Sequence, residues 1–273
     1  MIAVNNRPSI IFLRSKKQSD SSVHFRDRLS YPTYTAIHRT PEEFEFLRGR
    51  ISSIPDARIR VLQVGIGEDL VGETLSLLDM LHRTGKEYEI TCLDPNTRVV
   101  FGHASQNEFE LHADTLLSCG FDATNARRIL GEMQIVRDVH EISEEPLDDG
   151  FHRLQMATFR FNILPGVLDR LAYVVGDISE DRLPGDMQGF HAIVCFHTLY
   201  HLEHDPRLII EAVKNMASYL LKGGCLAIDS ARFNVYGLLT SELVQEIGLK
   251  LVYDSNVHAR HPLKENPRIY ERI

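Results

Sequence analysis

Short apolar runs at 59–65, 88–93, 172–176, 190–196 and 224–229 alternate with helically spaced segments, which predicts a doubly wound α/β fold on a parallel sheet. A second observation supports it: Arg58-Ile59-Arg60-Val61-Leu62-Gln63-Val64-Gly65-Ile66-Gly67 is a strand-like run that ends in glycines and opens into a helical pattern. Glycine at such a bend tolerates positive φ and lets a ligand approach the backbone. The third lies in the tail, where runs at 249–253 and 268–273 form a closing hairpin. The expected sheet is therefore seven-stranded and mostly parallel, with a C-terminal antiparallel strand.

Residues 1 to about 30 are polar and broken, and predict a loosely packed arm; 1–58 form an N-terminal arm and helix, and 59–273 the main domain. Pro41-Glu42-Glu43-Phe44 opens a helix with Thr40 as N-cap. After the glycines, Leu70, Val71, Thr74, Leu75, Leu77, Leu78 and Leu81 recur at helical spacing up to Gly85. Helices at 106–118 and 124–133, then acidic Glu141 to Glu145, read as a substrate-covering insertion over about 103–160 in which no β-subdomain is evident. A helix at 205–221 should end at Lys222-Gly223-Gly224, and Ser241 to Glu246 is a capped helix.

With 43% hydrophobic and 25% charged residues the chain can bury a core, and a net charge of −8 without a basic run argues against nucleic acid. Cys92, Cys119, Cys195 and Cys225 are scattered, as reduced core residues are. Ile10 to Leu13 is too short for a signal or a membrane span, so the expected location is cytoplasmic.

Glu68 and Asp69 follow the glycines directly, where a dinucleotide's pyrophosphate would sit on a helix start. Two carboxylates repel a phosphate, whereas Asp69 can cap the helix. S-adenosylmethionine, which carries an ammonium and no phosphate, fits better than NAD; a tight turn without a ligand is the plain alternative. His197 and His201 stand four apart, but nothing nearby completes a metal shell.

In order along the chain, Val61 to Gly67, Ile90-Thr91-Cys92-Leu93-Asp94, Val174-Val175-Gly176-Asp177-Ile178, Phe190 to His197 and Leu220 to Leu226 resemble the motifs of class I S-adenosylmethionine-dependent methyltransferases, a Rossmann-like fold. The resemblance implies that Asp94 grips the ribose hydroxyls, that Asp177 and Ile178 read adenine, and that Gln63, Gly65, Gly67 and Cys195 line the cofactor. A narrower resemblance joins Thr35-Ala36-Ile37-His38-Arg39-Thr40 through Leu47, and Gly72-Glu73-Thr74, to the CheR-type chemotaxis-receptor glutamate methyltransferases. It implies that Arg39 approaches the cofactor's carboxylate. Where that family has arginine and tyrosine after the fourth strand, this chain has Phe196 and His201, which implies another acceptor.

Methyl transfer to a carboxylate needs no base, while a hydroxyl or amine acceptor needs one; His197, Tyr200 and His201 follow the fourth strand on the ligand-binding edge. The expected protein is an S-adenosylmethionine-dependent methyltransferase acting on a small-molecule or protein acceptor. Its alternatives are a non-catalytic binder of the same fold and, behind that, an NAD-dependent oxidoreductase.

Overall fold

Alternate side chains of the strand Arg58–Val64 enter opposite cores: Ile59 and Val61 join one hydrophobic cluster, Leu62 and Val64 the other. A strand with helices on both faces buries both halves of its period-two pattern. A computed structural model describes residues 10–13, 41–67, 70–114, 123–148, 153–196, 198–202, 205–229, 235–255 and 267–273.

The elements are β1 (Ile10–Phe12), α1 (Pro41–Ser53), β2 (Arg58–Val64), α2 (Glu73–His82), β3 (Glu87–Asp94), α3 (Thr97–Ser105), β4 (Phe109–Asp114), α4 (Ala123–Glu132), β5 (Val136–Asp148) and β6 (Arg153–Ile163). They continue with β7 (Leu171–Val175), β8 (Phe190–Cys195), α5 (Pro206–Tyr219), β9 (Leu220–Ile228), α6 (Val235–Leu238), α7 (Ser241–Glu246), β10 (Leu249–Asp254) and β11 (Arg268–Arg272). The main sheet has eight strands in the order β1-β7-β3-β2-β8-β9-β11-β10. β11 alone opposes its neighbours, as the tail hairpin predicted. Helices α1 and α2 cover one face; α5, α6 and α7 contribute to the cluster on the other.

Three expectations are corrected. Part of the N-terminal arm is a strand: Ile10–Phe12 pairs in parallel with Tyr173–Val175, so the sheet has eight strands where seven were expected. The insertion holds a second, three-stranded antiparallel sheet, β4-β6-β5, where helix was predicted over 106–118 and no β-subdomain was evident. Phe109 and Leu111 alternate with Glu110 and face Phe161 and Phe159 in register, so distant pairing overrides the local helical reading. Register shifts in β5 and a positive φ of 52° at Asp138 break the alternation that would have marked that strand in the sequence. Finally, the helix predicted to run to 221 stops at Tyr219, and Leu220 already pairs with Phe190.

Asp79 bolts the insertion to the main domain. This buried residue of α2 accepts the N–H groups of Gln134 (2.6 Å) and Ile135 (3.3 Å) through one oxygen and Arg83 Nε (2.6 Å) through the other. Asp79→Ala orphans two backbone donors and is expected to cost about 2–4 kcal/mol, read as a lower urea midpoint. Hydrogen exchange should accelerate first at Gln134 and Ile135. Among the described residues no helix is long and apolar enough to cross a membrane.

Candidate active site

The chain passes from β2 to β3 and β7 on one side, then returns to β8 and β9 on the other. Connections leaving β2 and β8 therefore diverge and open a crevice at the carboxyl edge, the place where such sheets bind ligands.

The glycine loop occupies that crevice. Gly65, at φ 73°, donates its N–H to Leu93 O at 2.8 Å. A Cβ there would stand 1.8 Å from Thr198 Oγ1, whose hydroxyl lies 3.1 Å from Val64 O and 3.0 Å from Phe196 O. Thr198, unremarked in the sequence, thus fills the space over Gly65; its signal was the glycine opposite. Above Gly67, at φ 68°, a Cβ would meet nothing within 4 Å among the described residues. The loop does not run straight into the helix: α2 begins at Glu73 with Gly72 at its N-cap. Leu70 N–H is held by Gln106 Oε1 at 2.9 Å.

Asp94 ends β3 and ties three connections together. One carboxylate oxygen accepts Asn96 N–H at 2.8 Å, the other Ile66 N–H at 3.3 Å, and its carbonyl accepts Gly176 N–H at 3.1 Å. Burial raises its carboxyl to about 6; the two backbone donors oppose that rise, and the charge of Asp177 adds slightly to it. Asp177 follows β7 and caps its own turn, accepting Ser179 N–H (2.8 Å) and Ser179 Oγ–H (2.6 Å) on one oxygen.

The remaining candidates divide. Gln63 is wholly buried on the α2 side of the sheet: Thr74 Oγ1 bonds its Oε1 at 2.9 Å and lies 3.3 Å from His103 Nε2, whose other nitrogen meets Tyr173 OH at 3.0 Å. Burial lowers His103 to about 4, so this network is neutral. Cys195 is fully buried too; desolvation pushes its thiol up, the charges of Asp229 and Glu73 push it further, and a Thr198 hydrogen bond opposes them. Both side chains lie in the core, as does that of Ile178, which shares a cluster with Cys195. Phe196, where the resembling family has arginine, packs edge-on against Phe44 of α1 at 6.0 Å. Tyr200 and His201 fall in a 3-10 turn, Leu199–Leu202, just after β8. Arg39, His197, Glu68 and Asp69 lie outside the described residues.

No protein-family model and no curated protein sequence matches the chain. Among solved structures it is similar to the glycopeptide N-methyltransferase MtfA complexed with sinefungin, at 13% identity over 99% of this chain and 94% of that one, with a TM-score of 0.45. It is similar to a TehB-like SAM-dependent methyltransferase from Corynebacterium glutamicum (13% identity, 83% and 87% covered, TM-score 0.43). A third is the N-methyltransferase NodS from Bradyrhizobium japonicum with S-adenosyl-L-homocysteine (14% identity, 88% and 98% covered, TM-score 0.42). Likeness at this level transfers no residue role. By its own strand order, the chain is a doubly wound, Rossmann-like α/β protein with a mostly parallel sheet and a C-terminal antiparallel strand.

Proposed function

We propose that the chain is an S-adenosylmethionine-dependent methyltransferase whose acceptor is a small molecule or a protein. The observation that carries this reading is Asp94, a buried carboxylate at the switch-point edge that also holds Ile66 of the glycine loop. An ionised carboxylate accepts both hydroxyl hydrogens of a ribose. Asp177 and Ile178 then offer, in succession, a carboxylate acceptor and a backbone donor, the complement of adenine's amino group and its adjacent ring nitrogen. Open space above Gly67 admits a ligand close to the backbone.

The charges of the crevice support the same ligand. The charge of Asp177 reaches Asp94 across this edge. An acid-lined edge favours a sulfonium and an ammonium and repels a pyrophosphate, which disfavours NAD. These residues fit S-adenosylmethionine, which supplies a methyl group on an already activated carbon. The protein's work is alignment and exclusion of water, worth roughly 7–11 kcal/mol. With a hydroxyl or amine acceptor, His197 or His201 takes the proton; with a carboxylate neither is needed.

The finer kinship with the glutamate methyltransferases rests on Arg39 and on the start of α1, where Phe44 and Leu47 are buried. On that reading Arg39→Ala weakens cofactor binding and leaves the folding midpoint unchanged. The decisive experiment is calorimetric titration with S-adenosylmethionine, S-adenosylhomocysteine and NAD. Saturable binding of the first two, weakened by about 1–3 kcal/mol in Asp94→Ala, is the expected result. A folded protein that binds NAD, or none of the three, overturns the proposal. Binding without turnover against any acceptor leaves the non-catalytic binder.

A further inference from the structure

Helix α5 grips the segment after β7 from below. Asn215 and Tyr219 stand one turn apart on it, 3% and 1% exposed, among residues that are otherwise apolar on that face. Asn215 Nδ2 donates to Ile178 O at 2.8 Å and reaches Ser179 O at 3.5 Å. Tyr219 OH accepts Leu183 N–H at 3.2 Å and lies 3.5 Å from Asp181 O. Within the segment, Asp181 accepts Asp177 N–H at 2.8 Å and Asp177 accepts Ser179 N–H at 2.8 Å.

Asn215 is an odd residue to keep there. Its Oδ1 is buried and bonds nothing among the described residues, and an orphaned buried acceptor costs on the order of 1–3 kcal/mol. A leucine at this position would avoid that cost and suit the helix's apolar face. What the amide does provide is a fixed Ile178. The peptide joining residues 177 and 178 is held at its own carbonyl, which accepts Asp181 N–H at 2.7 Å and Glu180 N–H at 3.2 Å, and Asn215 fixes the following peptide by holding the Ile178 carbonyl, so that both ends of Ile178 are anchored.

We propose that Asn215 is a positioning residue for nucleobase selection: by holding the Ile178 carbonyl it aims the Ile178 N–H beside the Asp177 carboxylate, so that the pair accepts adenine and rejects hypoxanthine. The inference rests on the S-adenosylmethionine reading. Hypoxanthine reverses both positions, presenting a carbonyl to the carboxylate and a ring N–H to the backbone donor. Asn215 does not touch the ligand; it acts through the loop.

The test compares S-adenosylhomocysteine with S-inosylhomocysteine by calorimetry on the full chain. The wild type should prefer the adenine form by at least about tenfold, since a site built to pair a polar edge strongly rejects its mismatch. Asn215→Ala should shrink that ratio to about twofold, chiefly by weakening the adenine form. Val213→Ala, a buried α5 substitution with no bond to the loop, should lower stability and keep the ratio, which separates positioning from general loosening. Should Asn215→Ala fail to fold, Asn215→Ser, which retains a donor on a shorter stem, replaces it and should give an intermediate ratio. An Asn215 variant that keeps the wild-type ratio, or a Val213→Ala protein that loses as much, overturns the proposal. A wild type that binds both ligands equally overturns the nucleobase-edge assignment and leaves the methyltransferase reading standing; one that binds neither removes both.

Discussion

Gly65→Ala is expected to lose about 3–5 kcal/mol of folding stability, the largest single effect in the crevice. Two costs add. A non-glycine residue at φ 73° costs about 1 kcal/mol, and the new methyl would stand 1.8 Å from Thr198 Oγ1 and 2.9 Å from Thr198 Cβ. Because Cβ itself is in the way, no rotamer of Thr198 relieves the clash. The side chain must move with its backbone and give up its hydroxyl's place between Val64 O and Phe196 O, an overpacking cost of about 1–3 kcal/mol plus about 1 for the hydrogen bond. Gly67→Ala has the same sign of φ and open space, so it should cost only about 1 kcal/mol. Urea midpoints of the two variants, with Gly65→Ala/Thr198→Ala as a third, measure the difference. Equal midpoints for the two alanine variants would show that Thr198 does not close over Gly65.

The second large effect is at Asp94, where stability and binding pull in opposite directions. Burial raises its folded value from 3.8 to about 6, so the native state holds this proton more tightly than the unfolded chain does. The stabilisation is complete below the unfolded value and is lost as pH rises through about 6, a swing of about 3 kcal/mol at 1.36 kcal/mol per unit. Asp94→Asn removes the charge and keeps an acceptor for Asn96 N–H, but turns an amide group toward one backbone donor, which takes back about 1 kcal/mol. Relative to wild type the variant should be about 1–2 kcal/mol more stable at pH 8 and no more stable at pH 4. Ribose hydroxyls favour the ionised carboxylate, so wild-type affinity for S-adenosylhomocysteine should fall about tenfold per pH unit below about 6. Asp94→Asn should bind weakly at every pH. A wild-type affinity flat from pH 5 to pH 8 would defeat the assignment of Asp94 to the ribose.

Much of this was legible beforehand because the main sheet is made of buried parallel strands. Val61-Leu62 and Ile193-Val194 are apolar on both faces, so their runs announce strands without any partner, and the carboxyl edge follows from their order. The placement of Gly65, Gly67, Asp94, Asp177 and Ile178 at or just after strand ends was legible for the same reason, while their contact with a cofactor belongs to the proposal. The insertion was not legible, since β4 and β6 are defined by one another across a long stretch of chain and β5 is broken by bulges. Gln63 and Cys195, named as cofactor-lining from the resemblance, have buried side chains. Their strands end in the crevice, but their own side chains point into the two layers of core on either side. Thr198 and Asn215 carry no motif, and only the approach of Gly65 and of the Ile178 carbonyl reveals them.

The pairing of Ile10–Phe12 with Tyr173–Val175 sets an order of events during synthesis. The first of these strands leaves the ribosome long before the second; at about 5–20 residues per second the wait is roughly ten to thirty seconds. Throughout that interval the apolar Ile10, Ile11 and Phe12 have no sheet to join. Leu13, which ends up against Gly176 beside the proposed adenine segment, is made well before that glycine and waits for it to find its place. Maturation of the ligand crevice is thereby timed to the closure of the whole sheet, and a nascent chain halted before residue 175 has no means of completing it.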